Sequence, residues 1–83
     1  MAINVRKSDR DRFLRKAIEA SAGDVEKVLV WDELGLELDM DETTTELVVN
    51  HLIGEHLLRF RFFTGGTLTA AGLASAEGKQ GEP

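Results

Sequence analysis

Apolar residues recur at three- and four-residue spacing up to about Glu55, then alternate with charged residues from Leu57 onward, so the chain changes period once. Phe13, Leu14, Ala17, Ile18 and Ser21 share one helical face, and Ser8 with Asp11 forms a capping-box pattern in which Asp replaces Glu. These residues predict a first helix from Asp9 to about Ala22. Gly23 suits the left-handed position after a helix end. Asp24 then reads as the cap of a second helix ending near Gly35, with Val25, Val28, Leu29 and Leu34 facing the core and Trp31 packed with them. After a turn at Leu36–Met40, Thr43 and Glu46 form another capping box for a third helix reaching about Glu55. Val48 and Leu52, with Thr45 and Val49 alongside, make its core stripe; Thr43, Thr44, Glu46, Leu47, Asn50 and Ile53 point outward.

Leu58-Arg59-Phe60-Arg61-Phe62 has the alternation of a half-buried strand, and Gly65-Gly66 offers the positive φ of a tight turn. Thr67-Leu68-Thr69 returns antiparallel, placing Leu58, Phe60 and Leu68 inward, and Thr69 caps a last helix. The expected fold class is mainly α with a small β-hairpin: three to four helices plus a two-stranded antiparallel wing. One domain spans residues 8–77, between a flexible basic N-terminus (1–7) and a disordered glycine-rich tail (78–83).

Composition limits what this domain does. At 42% hydrophobic and 30% charged, the chain is globular rather than disordered, and it has no apolar run of the roughly 20 residues that cross a membrane. The absence of cysteine removes disulfides and thiolate metal sites, and a cytoplasmic location is the expectation. Charge is segregated within the net of -5. Arg6, Lys7, Arg10, Arg12, Arg15 and Lys16 make the first sixteen residues basic, residues 17–56 set eleven carboxylates against Lys27 alone, and Arg59 and Arg61 return positive charge to the hairpin.

Asp32-Glu33-Leu34-Gly35-Leu36 is similar to the segment closing the second helix of many winged-helix domains. Leu52 followed by His56-Leu57-Leu58 stands where members often have Gly-Leu-Ile, and Leu68-Thr69-Ala70-Ala71-Gly72 looks like the Leu-Thr-x-x-Gly that follows the wing. The chain therefore resembles the winged-helix variant of the helix-turn-helix from Ser8 to about Glu77. His56 takes the place of a glycine that commonly ends the third helix at positive φ, a conformation histidine tolerates. The resemblance implies a transcription regulator of prokaryotic type that binds double-stranded DNA as a dimer. Thr43, Thr44, Glu46, Leu47 and Asn50 would enter a groove, and Arg59, Arg61 and Thr64 would meet backbone phosphates.

Residues 17–56 support a second reading. No Lys or Arg stands between Lys27 and Arg59, so an acidic surface with outward Leu47, Val49 and Ile53 suits a protein partner or a second copy of the chain. No cofactor or metal is implied. His51 and His56 are five apart, which separates them by about 140° around a helix and misses the zinc-protease spacing. Asp39-Met40-Asp41-Glu42 lacks calcium-loop spacing, and Gly65-Gly66 lacks the continuation of a phosphate loop, so no enzyme is expected.

Overall fold

Three helices and a three-stranded sheet follow one another in the order α1 (Lys7–Ser21), β1 (Leu29–Val30), α2 (Trp31–Glu37), α3 (Glu42–Gly54), β2 (Leu58–Phe62), β3 (Gly65–Leu68). A further helical segment occupies 70–74. The computed structural model describes residues 5–62 and 64–74; the expected tail at 78–83 and the first four residues lie outside them. The fold is mainly helical with a small antiparallel sheet, compatible with a winged-helix arrangement, and no helix among the described residues is long and apolar enough to cross a membrane.

α1 buries Phe13, Leu14, Ala17 and Ser21, the face set by its spacing. Its start differs from expectation: Arg6 occupies the N-cap without a side-chain bond, and helix geometry already holds at Lys7, so Ser8 caps nothing. At the other end Ala22 and Gly23 both take positive φ, which turns the chain away. The expected second helix does not begin at Asp24. The Asp24 carboxylate instead accepts from Glu26 N in a local turn, Val25 and Val28 are exposed, and Leu29–Val30 pairs with Gly66 and Gly65 as β1. α2 starts only at Trp31, whose own N–H donates to the Thr64 carbonyl. The sheet thus has three strands, in the order β1-β3-β2, rather than the two expected.

The hairpin register also differs. Leu58 pairs with Leu68, Arg59 with Thr67 and Phe60 with Gly66, after which a bulge sets Phe62 opposite Gly65. Gly65 and Gly66 are therefore strand residues, not the turn, and the reversal lies between Phe62 and Gly65. Glycine is required there by close approach: a Cβ on Gly66 would overlap the Arg59 carbonyl oxygen, and one on Gly65 the Leu29 carbonyl oxygen. Leu58 and Leu68 are buried as expected, but Phe60 is 50% exposed, because the sheet face it leaves is not covered at that point.

The core lies where α1, α2 and α3 meet the sheet. Phe13 and Trp31 pack with ring centroids 6.3 Å apart, surrounded by Leu14, Leu29, Leu34, Val48, Leu52, Leu58 and Leu68. Each fully buried side chain of this size contributes about 1.5–3 kcal/mol. α2 approaches α3 closely because Gly35 has no side chain where Thr45 sits.

Candidate functional site

The Asp41 carboxylate, not a Thr43–Glu46 box, opens α3: its Oδ1 accepts from Thr44 N at 2.7 Å. That backbone hydrogen bond, reinforced by the Thr44 side chain, holds the Asp41 carboxyl below its ordinary 3.8. Two residues beyond the end of α3, His56 takes a φ of 65°, the left-handed turn expected for this position. Thr45, Val48, Val49 and Leu52 enter the core. The outer face then carries exposed Glu42, Thr43, Glu46 and Asn50, while Thr44, Leu47 and Ile53 are half-buried.

Two of the expected groupings dissolve. Thr43, Glu46 and Asn50 line a groove toward the wing, whereas Thr44 and Leu47 line a separate hollow shared with Val5, Arg6 and Arg12 beside α1. Leu47, Val49 and Ile53 do not form an exposed patch. Val49 is only 3% exposed, and Ile53 packs against the core. Positions i, i+2 and i+6 of one helix do not share a face.

The groove between α3 and the wing has a volume of about 720 Å³. Trp31 and Val49 form its floor, Phe60 and Phe62 its wing side, and Asp32, Glu42 and Glu46 its rim, with Thr64 and the cationic Arg61 at the wing end. Phe60 and Phe62 are 50% and 45% exposed. Their cross-strand neighbours are Gly66 and Gly65, which have no side chains to cover them. Among the described residues Asp32, Glu42, Glu46 and Arg61 make no ion pair. The Trp31 indole N–H is buried without an acceptor among those residues.

The basic face of α1 is occupied differently. Lys7 meets Asp11 at 3.2 Å, Arg10 meets Glu55 at 3.5 Å and lies 3.1 Å from His51 Nε2, and Arg12 meets Asp9 at 3.3 Å. Arg12 also donates to the Leu38 carbonyl at 2.6 Å, and Lys16 bridges Glu37 at 2.7 Å and Glu19 at 3.0 Å. Hydrogen bonds to Glu37, then Glu19, raise the Lys16 ammonium above its ordinary 10.5. Four of the six N-terminal cations therefore answer carboxylates of the same chain. Arg59 and Arg61 instead stand exposed on the wing without ion partners among the described residues, flanking a shallow hollow with Val25, Glu26 and Thr69. His56 is exposed and separate from the Arg10–His51–Glu55 cluster.

The groove's aromatic wall is not legible as such in the sequence, since Phe60 reads as core by alternation alone. The usable signal is Gly65-Gly66, because a glycine pair placed in a strand rather than a turn leaves its opposite neighbours uncovered. No protein-family model, curated protein or solved structure matches this chain.

Proposed function

We propose that this domain is a protein-binding module on a winged-helix-type fold. The observation that carries this reading is the groove where a DNA-reading helix would present donors and positive charge: here it has an aromatic and aliphatic interior and three carboxylates that make no ion pair among the described residues, with Arg61 the single cation of its lining. Carboxylates at such a helix face repel phosphate, and half-exposed phenylalanines gain nothing from a phosphate backbone but lose water against an apolar partner. The internal pairing of Lys7, Arg10, Arg12 and Lys16 supports the same reading, since these cations are already matched.

One observation favours DNA binding. Arg59 and Arg61 are exposed wing cations without ion partners among the described residues, and exposed Asn50 stands on the same side of α3 as the groove, where an amide can read an adenine edge. A titration with mixed-sequence duplex DNA at low and high salt separates the two. A protein-binding module shows no salt-dependent duplex binding; affinity that falls steeply with salt and is reduced by Arg59→Ala with Arg61→Ala reverses the assignment.

A further inference from the structure

We propose, resting on the protein-binding reading, that the groove takes a short segment of a partner protein in which a bulky apolar side chain stands next to a lysine or arginine. The volume, about 720 Å³, lies within the roughly 300–1,000 Å³ of clefts that enclose a small ligand, so the site suits a few inserted side chains rather than a broad flat face. Its interior selects an apolar group: Phe60 and Phe62 hold about half their surface in water and line the groove together with Trp31 and Val49. Its rim selects a cation. Exposed Asp32, Glu42 and Glu46 line the same groove, in which Arg61 is the single cation, so an incoming basic side chain meets three carboxylates that make no ion pair among the described residues.

The same charges weigh against two other occupants. A second copy joined across a two-fold axis through this groove would gather six lining carboxylates around two Arg61 guanidinium groups, a net like-charge contact. An acidic segment would meet three carboxylates to reach one arginine. A basic and apolar segment satisfies rim and interior together.

A random dodecapeptide phage library selected on the full chain tests this, followed by fluorescence anisotropy with the enriched peptides. Enriched peptides should pair Leu, Ile, Phe or Trp with Lys or Arg, and their binding should weaken as salt rises. Both Phe60→Ser with Phe62→Ser and Glu42→Gln with Glu46→Gln should weaken them about tenfold, as expected from removing apolar contact or charge at the site. Both pairs lie at exposed positions, and cooperative melting of each variant shows that the fold is kept. Acidic or charge-free enriched peptides, or basic ones that bind both variants as well as the parent, overturn the proposed chemistry while leaving a protein-binding module in place. A dimer that dissociates in the phenylalanine variant overturns it in favour of a second copy. Absence of any enriched peptide overturns it, and joined to salt-dependent duplex binding it overturns the protein-binding reading as well.

Discussion

The Thr69 hydroxyl donates to the His56 carbonyl oxygen at 2.6 Å, tying the left-handed turn that ends α3 to the residue that leaves the sheet. The hydroxyl oxygen also accepts from Gly72 N at 2.9 Å, and Thr69 N donates to the Leu57 carbonyl at 3.2 Å. One residue thus joins the two strand ends at the open end of the hairpin, beside the end of α3, and caps the last helical segment.

Thr69→Ala should lower stability by about 0.5–2 kcal/mol, the usual range for a lost helix cap, while Thr69→Ser keeps the hydroxyl and most of the stability. Urea denaturation of the pair checks this. Equal midpoints for Ala and Ser would show that the hydroxyl does not hold the junction.

Gly35→Ala should destabilise by about 1–3 kcal/mol, because a Cβ there overlaps Thr45 Oγ1 where α2 crosses α3. Thr45→Ala removes that oxygen, so the double variant should lose less than the sum of the single losses by about 0.5 kcal/mol or more. Additive losses in a denaturation cycle would place the two helices farther apart.

Leu58 and Phe60 separate core from surface on one strand. Leu58→Ala should cost about 2–5 kcal/mol through a buried cavity. Phe60→Ala, at a half-exposed position, should cost about 1 kcal/mol or less. A large loss for Phe60→Ala would restore the inward placement expected from alternation alone.

The Asp41 cap gives a pH dependence of known sign. Its folded pKa is lowered from 3.8, so its contribution is complete above the unfolded value and disappears as pH falls through the lower folded one. Asp41→Asn retains an accepting oxygen but has no charge to titrate. The difference in Tm between parent and Asp41→Asn should therefore narrow as pH falls below about 4. An unchanged difference between neutral pH and about pH 2.5 would remove Asp41 as the source.

Features set by neighbouring residues are legible in the amino-acid sequence itself. The buried face of α1, the Thr45–Val48–Val49–Leu52 side of α3 and the Thr69 cap follow from helical spacing and hydrogen bonding over a few residues, and the positive φ at His56 is what the winged-helix resemblance implied. Tertiary structure decided the rest, because each outcome depends on a partner far along the chain. Leu29–Val30 becomes a strand only because the backbone of Gly65-Gly66 lies beside it, and no periodicity within Asp24–Gly35 records that. Alternation assigns Phe60 to the same face as Leu58, but a period of two does not tell how far along a strand that face is covered; the bulge and the glycine pair leave Phe60 and Phe62 in water. The basic composition of α1 likewise does not show which of its cations reach other elements. Lys7–Asp11, Arg12–Asp9 and Lys16–Glu19 are pairs within one or two turns, but Glu55 and Glu37 take up Arg10 and Lys16 only once α3 and α2 have packed against α1, because these partners are distant in sequence and the core brings them within a few ångströms.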